Sequence, residues 1–131
     1  MNTKLLMIAS SVFMGLIGLT LTFLPDKVLT TIGQMPNSTL NLILQITGAL
    51  YFGFAITNWM AKTVLIGGIY ARPLSIGNFC HFLIAGLALI KVSMNVTMAN
   101  TYIYTLTFFY ALFAILFGYI FLTHPNKSRQ Q

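Results

Sequence analysis

Apolar residues run along this chain in four long blocks, and polar residues gather between them. The first block, "LLMIASSVFMGLIGLTLTFL" from Leu5 to Leu24, is long enough as a helix to cross a hydrocarbon core of about 30 Å. Pro25 closes it, and "PDKVLTTIGQMPNS" reads as a connection that ends at a helix start on Ser38 or Thr39. The second block follows as "TLNLILQITGALYFGFAITNWM". Next, "AKTVLIGGIYARP" is too apolar for an ordinary loop and too broken by Gly67, Gly68 and Pro73 for one helix, so it is expected at the membrane interface. Pro73 suits a first helical turn, where a missing N–H costs nothing. It opens a third block, Leu74 to Val92, whose Lys91 reaches towards the headgroups. "SMNVTMAN" makes a short turn, and the fourth block, Thr101 to Thr123, is rich in Tyr and Phe.

This pattern predicts an all-α integral membrane four-helix bundle with spans at 5–24, 38–60, 74–92 and 101–123. Residues 1–123 then form a single domain, and 124–131, "HPNKSRQQ", a short polar cytoplasmic tail. The first block is expected to be retained, because it is longer than a secretory signal core and "PDK" is no small-residue cleavage site.

Composition agrees: 57% of residues are hydrophobic and only 6% charged, against about 25% in soluble proteins. The net charge of +6 arises from seven Lys and Arg against one acid, Asp26. These cations are spread over termini and connections and form no dense patch, which excludes a nucleic-acid surface. They do set orientation. With both termini on one side, Lys4, Lys62, Arg72, Lys127 and Arg129 lie together and only Lys27 and Lys91 lie opposite, so the termini are expected in the cytoplasm.

The chemistry-bearing residues are few. In "SIGNFCHFLIAG", a helical projection places Gly77, His81, Ala85 and Ala88 within about 80°, a small-residue face that turns His81 towards another helix. Asn78 lies to one side of that face and Cys80 to the other, where a lone cysteine reads as a packing residue. On the second span, Asn41, Gln45, Gly48, Phe52, Ala55 and Trp59 share a stripe, and Asn58 lies at the right depth to partner Asn78. Ser11-xxx-Gly15 and Ala114-xxx-Gly118 are small-xxx-small pairs, the second on a face with Tyr104, Thr107 and Ala111. His81, Asn78, Asn58, Gln45 and Asn41 are therefore the candidate intramembrane polar site. Arg72 and Lys62 are candidate contacts for lipid headgroups.

Catalysis has little to work with. Asp26 lies at a membrane edge, His81 inside it and His124 in the tail, so no acid-base pair forms. There is no CxxC, no HExxH, no phosphate-binding glycine loop and no second intramembrane histidine for haem, so no metal site, cofactor or catalytic residue is implied. Two readings remain. One is a binding or accessory module that packs against a partner membrane protein or itself and holds a lipid, a quinone or a similar apolar ligand. The other is an oligomeric channel or facilitator for a small solute. A pore needs polar groups along the whole depth of a face, and each helix here is polar over about half its length, which favours the binding module.

The proline-marked first connection "FLPDKVL" and the small-rich "LQITGALYFGFAITNW" give the chain a layout that resembles the DoxX-like group of small bacterial membrane proteins. That resemblance implies four helices in a bacterial inner membrane and, through some members, a link to quinone-dependent sulfur or redox systems. It transfers no catalytic residue, and the absence of paired cysteines gives redox chemistry no support. His81 either locks the third helix to its neighbours or touches a molecule that enters between them. A His81→Leu variant separates these uses: thermal stability and assembly fall if the imidazole is structural, and both persist if it serves a ligand.

Overall fold

The computed structural model describes residues 3–63, 71–94 and 100–123. Its helices are α1 (Thr3–Phe23), α2 (Pro25–Thr31), α3 (Ser38–Met60), α4 (Arg72–Ser93) and α5 (Thr101–Thr123), with one 3₁₀ turn at Ala61–Thr63 after α3. No strand occurs among the described residues. All but α2 are long and apolar enough to cross a membrane, so the protein is an all-α, membrane-spanning chain, as the blocks predict. Most of "AKTVLIGGIYARP", most of "SMNVTMAN" and the whole tail lie outside the described residues.

The first connection departs from expectation. Pro25 ends α1 but also begins α2, where its ring occupies a first-turn position and Asp26 places a negative charge near the helix N-terminus. Gly33 ends α2 with a φ of 78°, a left-handed conformation that its missing Cβ permits. Gly33 then donates to the Thr30 carbonyl at 3.1 Å and Gln34 to that of Leu29 at 2.9 Å, which closes the open end of the helix. The cap of α3 is also corrected. Asn37, one residue before the expected Ser38 or Thr39, accepts from the Leu40 N–H at 2.9 Å. Asn100 does the same for α5, accepting from Ile103 at 3.0 Å.

The chain divides into two compact units, Met1–Thr63 and Val64–Gln131. In the first, α1 and α3 run antiparallel, with Ser11 opposite Ala55 and Gly18 opposite Gly48. At Gly18 and Gly48 the two backbones nearly touch. A methyl group on Gly18 would lie 2.9 Å from the Gly48 carbonyl oxygen, and one on Gly48 would lie 2.8 Å from the Gly18 carbonyl oxygen. Lipid tails are as apolar as leucine, so the pair is held by such packing and by interhelical hydrogen bonds instead of by expulsion of water. Ser11 supplies one of these bonds, donating across the interface to the Ala55 carbonyl at 2.6 Å.

In the second unit, α4 and α5 are also antiparallel, with Gly86 against Tyr110 and Phe79 against Gly118. Phe82 is fully buried at the centre of this pair. Its ring stacks on Phe113 at 4.8 Å and on Phe117 at 5.7 Å, and meets Tyr110 edge-on at 5.4 Å between centroids. These are the offset and T-shaped arrangements that aromatic quadrupoles favour.

The inward faces are rotated from those the helical projections suggested. On α4 the buried stripe is Ser75, Asn78, Phe82 and Gly86; His81 and Ala85 flank it, and Ala88 is exposed. On α3 it is Gly48, Ala55 and Asn58, while Gln45, Phe52 and Trp59 face outward. On α5 Ala114 and Gly118 are buried as expected, but Tyr104 is exposed. Neighbouring residues on a helix differ by about 100°, so the polar side chains marked the inner side without fixing its centre.

The glycine contact makes a clear prediction. Gly48→Ala gains helix propensity yet drives its methyl into the Gly18 backbone, so it should destabilise the protein by about 1–3 kcal/mol. Gly53→Ala, where nothing described approaches within 4 Å, should be neutral or slightly stabilising. Reversible unfolding in detergent micelles compares the two.

Candidate functional site

The sequence-marked polar residues fall into separate places. Asn41 stands near the N-terminal end of α3 and donates through Nδ2 to Asp26 Oδ1 at 2.8 Å. The chain's lone acid thus ties α2 to α3, a link whose only sequence signal was that single carboxylate. Gln45, one turn further on, is exposed and does not share the buried side of α3 with Gly48.

Asn58 lies near the other end of α3 and is fully buried. Its Nδ2 donates to Ser10 Oγ at 3.1 Å and approaches Met14 Sδ at 3.8 Å. Ser10 Oγ in turn donates a hydrogen bond to the Met7 carbonyl at 3.1 Å, so hydroxyl and amide form a short chain between α1 and α3. Ser10 escaped the sequence reading, which took its neighbour Ser11 for the small-xxx-small pair. Both serines are buried and both cross-link the unit.

In the second unit Asn78 is fully buried, and its Nδ2 donates to the Leu74 carbonyl of its own helix at 3.0 Å. His81 is half-buried, with the Phe82 ring edge-on at 5.2 Å and Tyr110 at 5.9 Å. It does face α5, as its position beside small residues suggested, but among aromatic rings. Cys80, expected to pack, is exposed on the outer side of α4. Asn58 belongs to the first unit and Asn78 to the second.

The two candidate headgroup residues rest on aromatic rings. Lys62 places its Nζ 3.3 Å from the centroid of the Trp59 ring. Arg72, the first residue of α4, holds its guanidinium carbon 5.9 Å from the centroid of Phe121, near the end of α5. Both distances lie in the range where a cation is drawn to a π face. Antiparallel packing puts Lys4 and Lys62 at one end of their unit and Lys27 at the other; in the second unit Arg72 and Lys91 mark opposite ends of α4.

Sequence reasoning missed a cavity in the second unit. Between α4 and α5 lies an open groove of about 360 Å³. Its floor is the Ala114 and Gly118 pair, and Phe79 and Leu83 of α4 and Ile115 and Leu122 of α5 rise beside it. Gly118 lets the Phe79 ring come so close that a Cβ there would lie 3.0 Å from it. Phe79 in turn stacks on Phe121, a further lining residue, at 6.2 Å, and the Arg72 guanidinium lies over the Phe121 ring. None of the described residues that line it is charged, and Tyr119 carries the only hydroxyl among them. The Ala114-xxx-Gly118 spacing was the available signal; it was read as a seam for another helix, and it also forms the floor of a groove. Among the described residues no cluster of His, Cys, Asp or Glu could hold a metal ion.

No family model, curated protein or solved structure matches the chain.

The Ser10–Asn58 contact is open to a double-mutant cycle. Asn58→Leu should lower unfolding stability by about 0.6–2 kcal/mol, the range for polar contacts between membrane helices. Combining it with Ser10→Ala should add less than the sum of the two single losses, because the pair shares one hydrogen bond.

Proposed function

We propose that the protein is a membrane-embedded binding module that holds an apolar ligand in the groove between α4 and α5. The groove itself carries this reading. Its lining is apolar apart from the Tyr119 hydroxyl, the Phe79 ring packs against Gly118 at its floor, and it opens on the side where Ile115 and Leu122 are 70% and 74% exposed. A site for a charged or strongly polar solute would need convergent donors or carboxylates, whereas this one offers ring faces and aliphatic carbons. Three polar contacts join the helices of the first unit, from Ser11 to Ala55, Asn58 to Ser10 and Asn41 to Asp26. They serve as scaffold under this reading.

The same proposal places the chain in a bacterial inner membrane with both termini cytoplasmic, on the strength of the lysine and arginine distribution and the DoxX-like layout. It also includes assembly with further copies or with a partner membrane protein, since α3 presents Leu42, Ile43, Ile46 and Leu50 outward along its length.

Native mass spectrometry of the protein released gently from its own membrane tests the reading. A discrete retained mass of lipid or quinone size is expected on the wild type. Ile115→Trp, which fills the groove from its exposed rim, should abolish that mass while leaving helicity unchanged. A ligand-free ring of subunits would overturn the proposal in favour of a channel, and retention undiminished in Ile115→Trp would overturn the assignment of the groove.

A further inference from the structure

We infer that the groove takes one acyl chain of an anionic phospholipid, whose headgroup is held by Arg72; this rests on the binding reading above and names its ligand. Geometry gives the first support. The lining residues of α5 run from Ala114 to Leu122, a rise of about 12 Å in a helix, and those of α4 lie within about 16 Å of Arg72 along the helix. That length corresponds to one leaflet of a hydrocarbon core about 30 Å thick. The groove therefore begins near mid-membrane and ends at the headgroup level, where Arg72 stands over Phe121.

Charge supports the second half. No acidic side chain occurs from residue 64 to residue 131, so the second unit holds no carboxylate side chain to neutralise Arg72. Its guanidinium lies over the Phe121 ring and can present a planar fork of N–H donors suited to two phosphate oxygens. A quinone fits less well, because its carbonyl oxygens would meet no donor deep in the groove; Tyr119, the only hydroxyl among the described lining residues, is 55% exposed at the rim.

An acyl chain that leaves the surrounding bilayer for an apolar groove gains no hydrophobic free energy, so close fit must offset its lost chain freedom and Arg72 provides the choice among lipids. One basic residue near a membrane surface contributes about 1 kcal/mol towards an anionic lipid, which is about a fivefold preference.

The full-length protein, reconstituted in nanodiscs of equal phosphatidylglycerol and phosphatidylcholine and released in the mass spectrometer, reads this directly. Wild type should retain one lipid, with phosphatidylglycerol favoured about fivefold and the preference shrinking as salt rises. Arg72→Gln should still retain a lipid but without preference. Lys91→Gln, which removes the same charge from the other end of α4, should keep it. A preference that survives Arg72→Gln, or is equally lost in Lys91→Gln, overturns the assignment of the headgroup while leaving the groove occupied. Unchanged lipid retention in Ile115→Trp overturns the groove and this inference together.

Discussion

The close approach of Gly18 and Gly48 governs the first half of this protein. With no solvent to expel, two helices in a bilayer associate only as well as their surfaces fit, and side chains hold most helix pairs 8–10 Å apart. Two glycines facing each other remove that spacer. Only then can Ser11 reach the Ala55 carbonyl and Asn58 reach Ser10. These hydrogen bonds are consequences of the backbone contact as much as causes of it, and they pin the register of α1 on α3. The tie from Asn41 to Asp26 continues the same seam to α2, so one line of contacts runs from one end of the unit to the other.

The second unit solves the same problem with rings. Where α1 and α3 meet by omitting side chains, α4 and α5 meet around Phe82 and the aromatic residues of α5. Large planar surfaces bring dispersion contact without exact backbone approach. Interlocked rings also leave gaps where a ring lies beside a small residue, and the groove over Ala114 and Gly118 is such a gap. An open groove on the aromatic pair and a closed seam on the glycine pair follow from the same difference in packing.

Much of this was legible beforehand, and the reasons differ by residue. Span positions follow from length and apolarity, two requirements that the bilayer imposes on every crossing helix. Pro73 announced a helix start because few backbone conformations accept it, whereas Gly33, which ends α2, lay in a stretch read as a plain connection. Asn37 and Asn100 were missed as caps because a polar residue in a polar gap has several uses, and only the neighbouring N–H geometry decides. Rotation was the larger failure. In a lipid environment the outward face is apolar too, so hydrophobicity does not distinguish inside from outside, and polar residues marked the inner side loosely. Gln45 and Cys80 were drawn inward by that assumption and lie outside. The groove was harder still, since it needs Phe79, Gly118 and Phe121 from two helices brought into one place.

Phe82 has one more effect. Because its ring is locked between turns of α5, α4 cannot slide by a turn without losing three ring contacts at once. The gap beside it is therefore preformed, with its open side towards the exposed Ile115 and Leu122. Such an opening needs no hinge. An apolar side opening of this kind faces the hydrocarbon of the membrane plane, so access to it runs sideways through the bilayer and is set by mole fraction within a leaflet, a two-dimensional concentration.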